Sequence, residues 1–277
     1  MRLSEDLPLN KVPFVFLDVE TTGLHPHYGD RICEIGLLKV VSNRTSDSYH
    51  TLINPYVPIS IGAFMVNHIT SDMVKYAPAF SEVTDKFFKF IENSVIVAHN
   101  APFDLNFIGS QLNGLRMKFP KNIVIDTLTL ARTYFQFPSN SLSNIASHFG
   151  INAVHSHRAM EDAILTRKIF YIFLKEFKRK YNLDTLYQLL EFNGGTVTFP
   201  TYGELILPPE VEEAIKWDRK LRIRYMSEEG KHTVRTIKPI EIAPHKDYTY
   251  LVAHCFLREQ RRTFRMDRIL SIKVVKE

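Results

Sequence analysis

Val12-Pro13-Phe14-Val15-Phe16-Leu17-Asp18-Val19-Glu20-Thr21-Thr22-Gly23 is an apolar run that closes on two carboxylates one residue apart and then breaks at a Thr-Thr-Gly turn. The run has the length and composition of a sheet strand buried on both faces. Residues i and i+2 of a strand share a face, so Asp18 and Glu20 project from the same side. Two unit charges about 4 Å apart repel by roughly 4 kcal/mol at an effective dielectric near 20, so the pair requires a proton or a cation, and a divalent metal meets that need. Asp-x-Glu alone is a weak signal, because a chain of this size contains roughly one such triplet by chance. Two solvated acids at a strand end are the competing reading.

Working outward, Arg31 to Val40 and Ser48 to Ile53 read as two more strands joined by the turn formers Ser42-Asn43-Arg44, so an antiparallel meander opens the fold. A helix is predicted over Phe80 to Ile91, a short strand over Val95 to Ala98, and a buried strand at Ile123-Val124-Ile125. Further helices are expected at about 104–113, 127–135, 141–149 and 159–178. Strands first, then strands alternating with helices, indicate an α/β mixed sheet flanked by helices. The expected organisation is a first domain over residues 1–180, a linker over 181–204 and a second domain over 205–277. In the second domain, Glu210 to Lys220 reads as a short helix started by prolines. Strands over Leu221–Tyr225, Thr233–Ile237, Tyr248–Cys255, Arg262–Met266 and Ile269–Val275 suggest a small β-barrel.

The 277 residues are 45% hydrophobic, enough for real cores, and carry a net charge of +5, which suits a polyanionic partner. After residue 200 there are 16 Lys and Arg against 12 Asp and Glu, so +4 of that excess sits in the last quarter. Cys33 and Cys255 lie far apart without metal-ligand spacing, which argues against a disulfide framework and for a reducing compartment. The first residues lack an apolar signal region and no 18-residue apolar stretch occurs, so no membrane partner is expected and the chain reads as cytoplasmic.

A second candidate site is His99-Asn100-Ala101-Pro102-Phe103-Asp104, directly after the Val95–Ala98 strand. Ligands bind where strand ends feed helix starts in α/β sheets, although Asp104 also reads as an ordinary acid complementing a helix dipole. A third is His157-Arg158-Ala159-Met160-Glu161-Asp162. There Ala159, Asp162 and Ala163 share one helix face, and the small alanines let that face press close. His157, just outside the helix, titrates near neutrality as a general base should.

Asp18-Val19-Glu20-Thr21-Thr22-Gly23, then His99-Asn100-Ala101 with Phe103, Asp104 and Phe107, then His157 with Asp162, together resemble the three motifs of the DEDDh group. These are the DnaQ-like 3′→5′ exonucleases of the ribonuclease H-like fold. Ile69-Thr70, Met73-Val74, Ala77-Pro78 and Phe80, and Asp126-Thr127-Leu128 with Ala131-Arg132, are similar to the family's connecting segments. The resemblance spans about residues 12–172. It implies that Asp18, Glu20, Asp104 and Asp162 hold two divalent metal ions, Mg²⁺ or Mn²⁺, and that His157 is the base. Hard carboxylate oxygens suit those ions, and two of them can clamp an in-line displacement at phosphorus. Thr21, Thr22 and Gly23 would let the chain approach the terminal nucleotide, with His99 and Asn100 shaping the site. Val66-Asn67-His68-Ile69-Thr70 departs from the family, many members of which carry His-Gly before Ile-Thr.

Residues 205–277 resemble the WYL domain, a small Sm-like or SH3-like barrel, through Ile223, Tyr225, Pro239, Tyr250-Leu251, Ala253 and Arg262 to Ile269, with Thr249 at the tryptophan position. The resemblance implies a pocket for a nucleotide or single-stranded nucleic acid. Arg258, Arg262, Arg265 and Arg268 are the candidate ligands, since arginine pairs with phosphate and stacks on bases; the competing reading pairs them with Glu259 and Asp267. Gln188-Leu189-Leu190-Glu191-Phe192 faintly resembles a sliding-clamp peptide of polymerase-associated exonucleases, but reads as helix or linker. The expected function is a metal-dependent 3′→5′ exonuclease releasing nucleoside monophosphates from single-stranded ends, DNA favoured. The alternatives are a non-catalytic, nucleotide-responsive regulatory protein on a nuclease scaffold and a polymerase-associated proofreading exonuclease.

Overall fold

In the computed structural model, residues 4–24, 26, 29–152, 157–199, 207–227, 231–245 and 248–275 are described. The apolar run forms β1 (Phe14–Thr21), followed by β2 (Ile32–Val41) and β3 (Arg44–Leu52). Ser42 and Asn43 make the hairpin turn with φ of 50° and 63°, the left-handed values a tight two-residue hairpin needs. Next come α1 (Ile61–Asn67), α2 (Ser71–Val74), α3 (Phe80–Ile91), β4 (Val95–Ala98), α4 (Ala101–Gly114) and β5 (Val124–Asp126). Helices α5 (Thr127–Tyr134), α6 (Leu142–His148), α7 (Ala159–Tyr181) and α8 (Leu186–Asn193) complete this part of the chain.

The first sheet has the order β3-β2-β1-β4-β5. β2 and β3 are antiparallel, whereas β4 runs parallel to both β1 and β5. The sheet is therefore mixed and helix-covered, as expected, and the alternation along β1 sorts its two cores. Phe14 and Phe16 join Leu38, Val40, Val95 and Val97 under α5, α6 and α7. Val15, Leu17 and Val19 join Ile96 and Ala98 under α3 and α4. Asp18 and Glu20 continue the Phe14–Phe16 register, so they stand on the face that α7 covers.

Residues 184–197, within the expected linker, pack on the first sheet's surroundings. Leu9 and Leu186 bond to Asp184 and Leu7 at 2.9 and 3.0 Å, the Asp126 N–H donates to the Asn193 side chain at 2.9 Å, and Val197 N–H donates to the Val124 carbonyl at 3.0 Å. Residues 200–204 of that stretch lie outside the described residues.

The chain forms two compact units, Met1–Glu20, Ile32–Tyr56 and Asp72–Glu204, and Thr21–Arg31, Val57–Ser71 and Leu205–Glu277. The second contains α9 (Pro209–Lys216) and the strands β6 (Leu221–Met226), β7 (His232–His245), β8 (Tyr248–Cys255), β9 (Gln260–Arg265) and β10 (Ile269–Val274). These strands make an antiparallel sheet in the order β10-β6-β7-β8-β9. Val211 and Ala214 of α9 bury against Leu221, Ile223, Ile237, Leu251 and Phe264. β9 and β10 occupy the two ends, and no pairing joins them into a closed barrel among the described residues. In the same unit α1 lies against β10, where Gly62 approaches the Ile269 carbonyl.

Candidate active site

β1 outruns its neighbour. Its pairing with β4 covers Phe14 to Phe16, so the carboxylate-bearing end stands beyond the last residue of β4. There the Val19 N–H donates to Asp104 Oδ1 at 3.0 Å. Asp104 occupies the first turn of α4, which starts where Asn100 adopts φ 65° and Pro102 presets the helix. The turn is held by buried Asp126, which accepts from the Asn100 and Ala101 N–H groups at 2.8 and 3.2 Å.

On the opposite face, Ala159 and Ala163 are fully buried, so α7 packs closely at its first turns. That approach brings Asp162 beside Asp18 and Glu20, with a carboxylate oxygen of each within 4.8 Å of the others. Asp162 Oδ2 accepts from the His157 backbone N–H at 3.0 Å. Asp162 Oδ1 is buried and has no hydrogen-bond partner among the described residues. Leaving such an acceptor unmet costs about 1–3 kcal/mol, more when charged. A hard divalent cation fits the orphaned oxygen, and an all-carboxylate donor set suits Mg²⁺ or Mn²⁺.

The electrostatics agree with that fit. Burial, then the charges of Asp104, Asp162, Glu20 and Glu34, raise Asp18 well above the usual carboxylate range. Burial likewise raises Asp104, and pushes Asp162 up to about 6. His157 is exposed, directly before α7, and holds φ 77°. The structure thus assembles Asp18, Glu20 and Asp162, sets Asp104 against the β1 backbone, and ties His157 to Asp162.

The other candidates are structural in their visible contacts. His99 bridges Thr127 Oγ1 and the Asn140 carbonyl, both at 2.9 Å, and burial lowers its pKa. In the turn after β1, Thr21 Oγ1 donates to the Gly23 carbonyl at 2.6 Å, and Thr22 Oγ1 donates to Asp30 at 3.0 Å. A Cβ on Gly23 would fall 2.3 Å from that Asp30 carboxylate. In the departing segment, buried Asn67 donates to the Thr21 carbonyl at 3.2 Å. Gln188–Phe192 lies within α8, with Leu189 fully buried.

The C-terminal arginines do not share one sheet face. Arg258 sits in the turn before β9; Arg262 and Arg265, three apart on β9, alternate to opposite faces; Arg268 belongs to a single 3₁₀ turn. Thr249 and Asp267 side chains lie outside the described residues. A basic row that the sequence reading missed pairs Lys273 of β10 with Arg222 of β6. Its signal was the alternation Leu221-Arg222-Ile223-Arg224-Tyr225.

Two further carboxylates stand near the site without a sequence motif that singles them out: Glu34, inside the apolar strand Ile32-Cys33-Glu34-Ile35-Gly36, and Asp126. Both are buried. A charge in the middle of a buried strand was the available signal for Glu34.

Residues 15–170 match the exonuclease family RNase_T, and residues 208–274 match the WYL domain. The chain is 40% identical over 166 residues to a PolC-type DNA polymerase III of Caldanaerobacter subterraneus, covering 60% of this chain but 12% of that relative. It is 34% identical over 174 residues to the DNA polymerase III subunit epsilon of Buchnera aphidicola, covering 59% of this chain and 73% of the relative. Among solved structures, E. coli exonuclease I in complex with a dA16 oligonucleotide is similar in fold with a TM-score of 0.54 at 15% identity, over 88% of this chain and 55% of that one.

Proposed function

From the premise that this chain belongs to the RNase_T exonuclease family, with a WYL domain behind it, we propose that it is a cytoplasmic, metal-dependent 3′→5′ exonuclease acting on single-stranded nucleic acid, DNA favoured. The observation that carries this reading is the gathering of Asp18, Glu20 and Asp162 oxygens within 4.8 Å, one of the Asp162 oxygens lacking a donor among the described residues. Asp18, Glu20, Asp104 and Asp162 would hold two divalent ions, which supply Lewis acidity at the scissile phosphate when bound. His157, exposed beside that cluster, takes a proton from the attacking water. The water oxygen bonds to phosphorus, the bond to the 3′ oxygen of the shortened strand breaks, and a nucleoside 5′-monophosphate leaves. Because the His157 N–H is bonded to Asp162, base and carboxylate form one mechanical piece. Thr21, Thr22 and Gly23 continue the chain from Glu20 and offer backbone to the terminal nucleotide, with His99 and Asn100 bracing the second motif.

The test is a gel time course with 3′- and 5′-labelled single-stranded DNA and RNA, with Mn²⁺, Mg²⁺ or EDTA. Metal-dependent loss from the 3′ end, absent in Asp18→Ala, is expected. Binding without cleavage would favour the non-catalytic regulator instead. The polymerase relatives support a second reading, proofreading in a polymerase complex; stimulation of exonuclease activity by a replicative polymerase would favour it.

The C-terminal domain, in this reading an Sm/SH3-like module, grips nucleic acid or a nucleotide through Arg258, Arg262, Arg265 and Arg268. Replacing Arg262 and Arg265 by alanine then weakens single-strand binding and flattens its dependence on salt.

A further inference from the structure

The helix that carries the third motif starts on a carboxylate from another strand. β2 presents Glu34 and Gly36 to α7, on the same face as its core residues Leu38 and Val40. Gly36 lies so close to the first turn of α7 that a Cβ there would stand 2.4 Å from Ala159 C and 2.5 Å from Met160 N. Real Cβ atoms do not approach backbone so closely, so β2 and α7 meet at this distance because residue 36 has no side chain.

Two residues earlier, the Glu34 side chain is fully buried. Its Oε1 accepts from Arg158 Nη2 at 2.5 Å and Nε at 3.0 Å, and contacts His50 Nε2 at 2.7 Å. Its Oε2 accepts from Arg158 Nε at 3.1 Å and from the Ala159 N–H at 2.9 Å. Arg158 is the N-cap of α7 and makes no side-chain cap of its own. Glu34 therefore serves as the helix cap from a distant part of the chain, meeting a first-turn N–H that would otherwise be orphaned.

The segment clamped in this way is short and carries the chemistry at both ends. His157 precedes Arg158 directly, and the Asp162 N–H donates to the Arg158 carbonyl at 2.9 Å. The His157 N–H closes the loop on Asp162 Oδ2. A shift of Arg158 moves both. Glu34 does not help the site through its charge, which opposes ionisation of Asp18 and Asp162. Its contribution is where it puts the helix.

We propose that Glu34 is a positioning residue for the hydrolytic reaction. It clamps Arg158 and the Ala159 N–H against β2, Gly36 sets the spacing, and together they fix where Asp162 and His157 stand relative to Asp18 and Glu20. The proposal rests on the exonuclease reading for its kinetics but not for its metal binding.

Three full-length variants test it: Glu34→Gln, which removes the charge of the clamp; Gly36→Ala, which pushes the helix off without altering charge; and Arg158→Lys, which keeps charge and loses the fork. Mn²⁺ binding is followed by electron paramagnetic resonance without substrate, turnover on a 3′-labelled oligonucleotide, and folding by circular dichroism. Outer-shell partners of metal ligands typically change affinity or activity by about 10–100-fold. A loss of that size in both Mn²⁺ affinity and kcat, with KM within about threefold, is expected for each folded variant. Glu34→Gln combined with Arg158→Lys is expected to be no worse than the weaker single variant, because the pair acts as one clamp. Folded variants that keep Mn²⁺ affinity and kcat within about twofold of wild type, whatever their thermal stability, overturn the proposal. Should Glu34→Gln or Gly36→Ala fail to fold, Arg158→Lys decides by the same criterion. A wild-type protein that binds Mn²⁺ but cleaves nothing overturns the exonuclease reading alone, and the Mn²⁺ arm still decides the role of Glu34.

Discussion

The carboxylates gathered at the end of β1, of which Asp18 and Glu20 are half-buried and Asp162 buried, and the buried ones seated beneath the helix starts are the same chemical group put to opposite use. At the end of β1, Asp18, Glu20 and Asp162 crowd together, with a buried Asp162 oxygen lacking a donor among the described residues and the Asp18 and Asp162 pKa values raised. Beneath α4, Asp126 accepts from the backbone N–H groups of Asn100, Ala101, Leu128 and Thr129. Beneath α7, Glu34 is buried too. Yet hydrogen bonds from Arg158, Ala159 and His50 outweigh that burial and hold its pKa below the usual value. Burial alone does not make a metal ligand. A buried carboxylate saturated by donors is a structural anion, whereas one short of donors among like charges needs a cation.

The largest expected effect separates the two regions by activity. On the proposed metal-dependent mechanism, Asp18→Ala is expected to reduce hydrolysis at least about a thousandfold, since it removes a proposed ligand whose ion would act in the transition state. Its metal-free stability should be equal to or above wild type, read by urea denaturation in EDTA. Asp126→Ala should do the reverse in stability, costing at least about 3 kcal/mol because it strips several buried N–H groups of their acceptor. A loss of stability in Asp18→Ala to match that of Asp126→Ala would erase the distinction.

The pH dependence sharpens it with opposite signs. The folded-state pKa of Asp162 is raised from 3.8 to about 6. In EDTA its contribution is therefore full below about pH 4 and is lost as pH rises through 6, up to about 3 kcal/mol. Glu34, held below 4.5, contributes stability above that value and loses it as pH falls. Asp162→Asn should shrink the falling limb of a stability–pH curve, to which the raised Asp18 and Asp104 also contribute, and Glu34→Gln should shrink the acid limb, both read by thermal melts across pH 3–8. Smallest of all, His50→Ala should cost about 0.5 kcal/mol or less, because its contact with Glu34 is partly exposed and Arg158 remains.

Much of the first domain was legible. Alternation along β1 set Asp18 and Glu20 on one face, and α4, α5, α6 and α7 begin and end within a few residues of their expected bounds. α1 was not anticipated and α8 was read over Gln188–Phe192 only as helix or linker, because each is short and takes its order from packing and caps rather than from a long apolar stripe: Ser60 caps α1 and Thr185 caps α8. Closure of the C-terminal sheet was equally hidden, since strand composition specifies strands and not whether the first and last meet. The arginines of β9 looked like a cluster in one dimension and alternate across the strand in three.

By itself the sequence determined the chemistry on offer: two acids in register at a strand end, a third and fourth on helix starts, a histidine beside one of them, and a basic second domain. It determined these because strand and helix periods are local properties of the backbone. Only the tertiary structure decided which buried carboxylates are left without donors and which are saturated, for two of the partners of Glu34, Arg158 and Ala159, lie more than 120 positions away. Hydrogen-bond satisfaction depends on what packing brings alongside, and a separation of that size leaves no periodic trace in the chain.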